Sequence, residues 1–140
     1  MNQTVKADFA QSHLLRRALQ ANGVFSSMSG LILIAASDRI AALIGIEQSL
    51  VLIGVLLLIF AASLFWNARR EMINRTEAWI AVVLDVAWVI GTMALIFAGV
   101  FNSTGNWVVA IVADLVLLFA ALQFFGLRKS RRQRSADALD

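Results

Sequence analysis

The sequence predicts an all-α integral membrane protein folded as a four-helix up-down-up-down bundle. Of its 140 residues, 60% are hydrophobic and only 15% are charged, which is too apolar for a small water-soluble domain. The apolar residues form four long stretches, at residues 18–37, 48–67, 78–98 and 107–126. A hydrocarbon core of about 30 Å is crossed by about 20 helical residues, so each stretch is long enough for one membrane span.

The spans are predicted to be helices and not the strands of a barrel. In lipid, backbone amide groups must be hydrogen-bonded within their own segment or in a closed barrel. Barrel strands alternate apolar and polar residues, whereas these stretches remain apolar over most of their length. The chain contains no proline, so no ring-induced kink is expected in any span.

The connections between the spans are short. An exterior loop is expected near residues 37–48, a cytoplasmic loop at residues 67–77 and an exterior turn at residues 100–106. Spans joined by such short connections pack as antiparallel neighbours. We therefore expect residues 1–140 to form a single four-span membrane domain that ends in a basic tail at residues 127–140.

The positions of Lys and Arg predict the orientation. Eleven of the twelve basic residues flank the spans on one side, and only Arg39 lies on the other. By the positive-inside rule that side is cytoplasmic, so both termini are expected in the cytoplasm of a bacterium and the spans in its inner membrane. The residues expected to set topology and contact lipid head groups are Arg16, Arg17, Arg69, Arg70, Arg128, Lys129, Arg131 and Arg132. Because attraction to anionic lipid explains a basic tail after a span, nucleic acid is not an expected partner.

Two carboxylates interrupt otherwise apolar spans: Asp85 in "IAVVLDVAWVIG" and Asp114 in "VVAIVADLVLLFA". Each lies roughly 10 Å deep, counted from opposite faces of the membrane, so the two are too far apart to share a proton. An ionised Asp near the bilayer centre costs on the order of 3 kcal/mol on insertion scales. We therefore expect both carboxylates to face the interior of the bundle.

Polar residues of the first and third spans are the expected partners of these carboxylates. On the third span, Asp85 shares a helical face with Ala81, Trp88 and Thr92, at spacings of three or four. We expect one intramembrane polar seam, which consists of Asp85, Asp114, Asn22, Ser26, Ser27, Ser29, Trp88 and Thr92.

Several chemistries are excluded by residue content. The chain has no cysteine, so disulfide exchange, thiol catalysis and cysteine metal sites are excluded. It has no tyrosine either, which excludes catalysis by a tyrosine hydroxyl. His13 is the sole histidine, which is too few for bis-histidine haem or a histidine metal cluster within one chain. The sequence predicts no catalytic residue, no metal site and no cofactor, and the protein is not expected to be an enzyme.

Two functions from different classes remain. The first is an accessory or assembly subunit of a larger membrane complex, without catalytic activity, whose partners are membrane lipids and other membrane subunits. The alternative is a homo-oligomeric, proton-coupled carrier of a small solute or ion, in which Asp85 or Asp114 handles the proton. An intramembrane ionisable residue is compatible with both functions.

The sequence also contains a candidate internal repeat. Residues 58–70, "LIFAASLFWNARR", align without gaps with residues 117–129, "LLFAALQFFGLRK", and six of the thirteen positions are identical. A duplication would relate two hairpins of two spans by an axis along the membrane normal. The alternative is a chance match, which a restricted apolar alphabet makes frequent.

Overall fold

The computed structural model describes the backbone of residues 3–137 and the side chains of residues 13–128. Within this part of the chain there are five α-helices and no strand. The helices are α1 (Gln3–Ala35), α2 (Ser37–Ile44), α3 (Val51–Arg69), α4 (Arg75–Phe97) and α5 (Ser103–Asp137).

Four of these helices contain segments long and apolar enough to cross a membrane. The segments are His13–Ala35 of α1, the whole of α3 and α4, and Ser103–Arg128 of α5. The predicted all-helical class with four long apolar helices is therefore confirmed. The helices extend beyond most of the predicted span ends, because hydropathy alone does not register helical turns that continue into polar residues.

The connection expected as a loop near residues 37–48 is instead largely helical. Its helix, α2, buries Ser37, Ala41 and Ile44, which lie on one face at spacings of four and three. The helix ends at Gly45, whose φ of 83° is in the left-handed region that favours glycine. Eight residues are too few for this spacing to be recognised in the sequence, so the loop prediction was wrong over most of its length.

Helix α1 lies at the centre of the structure, packed along α3 on one side and against α5 on another, while α4 packs mainly against α5. Close contact between α1 and α3 is possible because Gly30 and Gly54 face each other. A Cβ atom on either glycine would lie 2.7 Å from the carbonyl oxygen of the other. The backbones therefore approach more closely than any other residue type would allow.

The main hydrophobic core lies at one end of the bundle. It is formed by Leu15, Leu19, Leu64, Ala68, Ala78, Ala81, Val82 and Leu127. Four arginines lie close to this core: Arg16, Arg70, Arg75 and Arg128. We call this the arginine-rich end, and the opposite end the α2 end.

Most buried positions of α4 and α5 repeat those of α1 and α3 at the constant offset that relates residues 58–70 to residues 117–129, whereas Thr92 and Val116 have half-buried counterparts. In α1 and α4, the buried pairs are Leu19 with Ala78, Asn22 with Ala81, Gly23 with Val82, and Ser26 with Asp85. In α3 and α5, they are Gly54 with Ala113, Ala61 with Ala120, Leu64 with Gln123, Asn67 with Gly126, and Ala68 with Leu127.

Hydrogen bonds at the arginine-rich end follow the same offset. The Arg16 guanidinium donates to the Ala68 carbonyl at the end of α3, and to Glu71 O at 3.2 Å. In the second half, Arg75 Nη2 donates to Leu127 O at 2.8 Å. Equivalent arginines therefore bind equivalent carbonyls in the two halves, which supports the predicted internal repeat over a chance match of apolar residues.

Candidate functional site

The strongest candidate site is the carboxylate of Asp85, which is only 4% exposed on the inner face of α4. Asn22 Nδ2 on α1 donates a hydrogen bond of 2.7 Å to Asp85 Oδ2. Ser26 Oγ, one turn further along α1, donates to Asn22 Oδ1 at 3.3 Å. We call these three residues the Asp85 cluster.

The geometry of the cluster determines which end of the Asn22 amide faces the carboxylate. Because Ser26 donates to the amide oxygen, the amide nitrogen is directed at Asp85. A carboxylate that is buried in an apolar bundle needs such a donor, since a buried charge without a partner is strongly destabilising. Asp85 is buried and accepts a hydrogen bond from Asn22, as expected, whereas Ser26 is linked to Asp85 only through Asn22.

Other residues expected in the polar seam lie near the Asp85 cluster without bonding to it. Within the part of the chain that the structure describes, Ser27 and Ser29 are half-buried and neither makes a side-chain hydrogen bond. Thr92 is buried two turns from Asp85, as expected from its helical face. Trp88, on the same face, is 40% exposed.

Asp114 does not face the interior, so this part of the seam prediction was wrong. The buried face of α5 is defined by Ala113, Val116, Ala120, Gln123 and Leu127. At about 100° per residue, Asp114 lies far around the helix from the centre of that face. It is exposed, and among the described residues nothing hydrogen-bonds to its carboxylate. We expected Asp114 to face inward because a charge that faces lipid is destabilising. A partner from another protein would remove the same destabilisation without an inward orientation.

Two buried amides were missed by the sequence argument. Gln123 is 0% exposed, and neither Nε2 nor Oε1 has a hydrogen-bond partner among the described residues. Asn67 is also buried, but it exchanges two hydrogen bonds with the backbone of Asn74, at 3.0 Å and 2.8 Å. Asp85 and Asp114 were selected because each is a single polar residue in an apolar run. Gln123 meets the same criterion, so the sequence could have identified it.

Asp85 lines a groove between α3 and α4. One cleft, of about 470 Å³, contains Asp85, Ser26, Ser29 and Trp88 in its lining. A second cleft, of about 780 Å³, extends toward α2 and is lined almost entirely by apolar side chains. The two clefts share Ile53, Leu84, Trp88 and Val112, so they adjoin. We call the combined feature the α3–α4 groove.

The groove lies where the two halves differ, since the interface between α1 and α5 is closed and the equivalent one between α3 and α4 is open. Between α1 and α5, Phe25 and Phe119 close the interface, with ring centroids 5.5 Å apart. The equivalent residues of the other pair are Leu84 on α4 and Phe60 on α3, and these two line the cleft that contains Asp85. Helices α3 and α4 make few contacts overall. The open groove between α3 and α4 therefore corresponds to the closed interface between α1 and α5.

The arginines expected at lipid head groups have varied surroundings. Arg16 is bound to carbonyl oxygens, Arg70 Nη1 lies 3.2 Å from Glu77 Oε1, and Arg128 lies over the Phe124 ring at 5.9 Å. Arg17 and Arg69 are exposed. The side chains of Lys129, Arg131 and Arg132 lie outside the described residues. Contact of these basic residues with lipid stays a prediction.

Among the described residues, no three or more His, Cys, Asp or Glu side chains are grouped so that they could hold a metal ion. Comparison of the chain with protein families, curated proteins and solved structures finds no match. The features that bear on function are the Asp85 cluster, the α3–α4 groove and the outward carboxylate of Asp114.

Proposed function

We propose that this protein is an accessory or assembly subunit of a larger membrane complex, without catalytic activity of its own. In this proposal, residues 1–140 form a single four-span domain in a bacterial inner membrane. The observation that carries the proposal is the exposed carboxylate of Asp114 on the outer surface of α5. A charge facing lipid at that level needs a partner from another molecule.

The order of contacts along the helices supports an up-down arrangement. Along α1 and α3, Arg16 bonds to Ala68, Gly23 faces Phe65 and Gly30 faces Gly54. One set of residue numbers rises as the other falls, as in antiparallel neighbours. Helices α4 and α5 follow the same rule, since Arg75 bonds to Leu127 and Trp79 contacts Phe124. With the arginines gathered at one end, the positive-inside rule supports cytoplasmic termini.

The position of Asp114 is close to the middle of its span. The span runs over Ser103–Arg128, so Asp114 is separated from both ends by three turns or more. An ionised Asp at this level costs on the order of 3 kcal/mol on insertion scales when it faces lipid. Contact with a cation on a neighbouring helix removes that cost and links the stability of this subunit to the assembled complex.

Asp114 belongs to a helical stripe with the spacing of a coiled-coil seam. The stripe consists of Trp107, Ile111, Asp114, Leu118, Ala121 and Phe125, at alternating spacings of four and three. We call it the α5 outer stripe. All of its members are exposed except Ala121, which is half-buried. A polar residue at one position of such a seam specifies register and partner.

The partner in this proposal is a transmembrane helix of a different protein that carries Lys or Arg opposite Asp114. The four described spans of a second copy of this chain do not provide that cation. In its four spans, the Lys and Arg residues are confined to the arginine-rich end, namely Arg16, Arg17, Arg69, Arg75 and Arg128. These lie at the span termini, whereas Asp114 lies near mid-span.

Purification from native membranes in mild detergent tests the proposal. Wild-type protein is expected to co-purify with a larger partner at fixed stoichiometry, and Asp114→Leu is expected to lose it. A matched control is Ile90→Ala, which changes an exposed apolar residue on α4, away from the α5 outer stripe. Purification of the wild type alone, or retention of the partner by Asp114→Leu, contradicts the proposal.

A second candidate function is a homo-oligomeric, proton-coupled carrier of a small solute, and the α3–α4 groove favours it. A carrier needs a cavity that reaches a protonatable group, and Asp85 lines this groove. Asp114 is not among the lining residues, so the proposal assigns the coupling role to Asp85 alone. In proteoliposomes, Asp85→Asn is expected to abolish uptake driven by a pH gradient, and Asp114→Asn to retain it.

A further inference from the structure

We propose that the α3–α4 groove binds an amphiphilic organic cation, with its charged head at Asp85 and its apolar body along the groove toward α2. This inference rests on the second candidate function, which it deepens by naming the ligand class. It concerns binding alone, so it can be tested without transport or a partner subunit.

The charge of the ligand follows from the groove lining. Among the described residues, Asp85 is the single charged side chain that lines the two clefts. A third cleft shares Phe60, Ser63 and Leu84 with the Asp85 cleft and has Arg70 in its lining, but Arg70 is paired with Glu77 at 3.2 Å. Asn22 holds Oδ2, and among the described residues nothing hydrogen-bonds to Oδ1. The protein therefore presents one carboxylate oxygen without a local cation, and a positively charged ligand supplies the missing charge.

The aromatic lining favours a cation whose charge is spread over a large group. Trp88 is 40% exposed and lies where the two clefts adjoin. Phe25 and Phe60 line the same cleft as Asp85. The faces of aromatic rings attract cations within about 6 Å, and the attraction is stronger in desolvated sites. Quaternary ammonium and phosphonium groups suit this lining, because they require few hydrogen bonds.

The remaining groove selects for an apolar body. The cleft toward α2 is lined by aliphatic residues such as Ile40, Ile44 and Leu95, with Gln48 and Thr92 as its polar members. A neutral acyl chain would fill the same space, but it would leave the free carboxylate oxygen without a partner. An anionic amphiphile would bring a like charge to Asp85. The cation is therefore the occupant that satisfies both parts of the groove.

A pair of probes with the same shape and opposite charge tests the inference. Tetraphenylphosphonium and tetraphenylborate are titrated into the full-length protein in neutral detergent. Binding is followed by the fluorescence of Trp88, in a background where Trp66, Trp79 and Trp107 are each replaced by Phe. Saturable binding of the phosphonium, with the borate at least about tenfold weaker, supports the inference. Equal binding of the two probes overturns it.

Variants locate the site. Asp85→Asn is expected to weaken phosphonium binding about tenfold or more, whereas Asp114→Asn is expected to leave it unchanged. If Asp85→Asn does not fold, Gly91→Phe takes its place, because a Cβ atom at Gly91 would meet nothing within 4 Å and Gly91 lines the larger cleft. Wild-type affinity in a folded Asp85→Asn or Gly91→Phe protein overturns the assignment to this groove.

The outcomes separate this inference from both candidate functions. Phosphonium binding that depends on Asp85, without any uptake in proteoliposomes, leaves the binding site standing and removes the carrier proposal. Uptake of another solute without phosphonium binding supports the carrier proposal and overturns the cation site. Neither result bears on the assembly proposal, because that proposal depends on Asp114 at a different surface of the protein.

Discussion

Asn22 on α1 donates a 2.7 Å hydrogen bond to the carboxylate of Asp85 on α4, and this bond joins the two halves of the chain. Ser26 orients the Asn22 amide from the same helix. Within the described residues, α1 and α4 lack extensive direct packing. The bond therefore links two helices that are otherwise held together mainly through α5.

Replacing Asn22 by Ala is expected to lower the free energy of unfolding by about 1 to 3 kcal/mol. The buried Asp85 carboxylate would lose its donor, and an unsatisfied buried acceptor is destabilising by about this amount. Unfolding in mixed detergent micelles measures the change. Gln20→Ala is the matched control on the same helix, because Gln20 is exposed and its loss is expected to change stability by less than about 0.5 kcal/mol.

A double-mutant cycle assigns that effect to the pair. Asn22→Ala and Asp85→Ala are expected to be non-additive, with a coupling energy of about 0.5 kcal/mol or more. Additive effects would show that the bond between Asn22 and Asp85 contributes nothing beyond the packing of each residue.

Replacing Gly30 by Ala is expected to destabilise the protein by about 1 to 3 kcal/mol, the usual range for overpacking. The new Cβ would lie 2.7 Å from Gly54 O, so α1 and α3 would have to separate. Thermal unfolding in detergent measures the effect. Gly91→Ala is the control, since its Cβ meets nothing within 4 Å. It should be neutral or stabilising by about 0.5 to 1 kcal/mol, because helical glycine is unfavourable.

Replacing Arg16 by Gln is expected to lower stability by about 1 to 2 kcal/mol, because two carbonyl groups near the end of α3 lose a charged donor. Arg17→Gln removes the same charge from the adjacent, exposed position and is expected to have little effect. Comparing the denaturation midpoints of the two variants separates the hydrogen bonds from the charge. Equal midpoints would mean that the carbonyl bonds add nothing measurable.

Replacing Gln123 by Leu is expected to raise the free energy of unfolding by about 1 kcal/mol or more. Both polar atoms of Gln123 are buried without partners among the described residues, so the wild-type amide bears an uncompensated desolvation cost. Asn67→Leu is the contrasting variant and is expected to destabilise, because Asn67 makes two bonds to the Asn74 backbone. A lower midpoint for Gln123→Leu would reveal a partner for this amide.

For Asp85 and Asp114, the sequence predicted the positions within the spans but not which of the two is buried. Both lie singly in long apolar runs, at similar depths from opposite faces of the membrane, and the sequence predicted the same inward orientation for both. The structure buries one and exposes the other. In a water-soluble helix, the spacing of apolar residues identifies the inner face. In a membrane helix, lipid is as apolar as the protein interior, so the spacing leaves the rotation of the helix undetermined.

Length and composition by themselves determined that the described chain is helical and has four segments able to cross a membrane, because these properties depend only on local backbone hydrogen bonding and transfer from water to lipid. Tertiary structure alone decided that α1 is central, that Gly30 meets Gly54, and that α3 and α4 leave a groove beside Asp85. These features depend on close packing between residues far apart in the chain, and a one-dimensional pattern carries no distances between such residues.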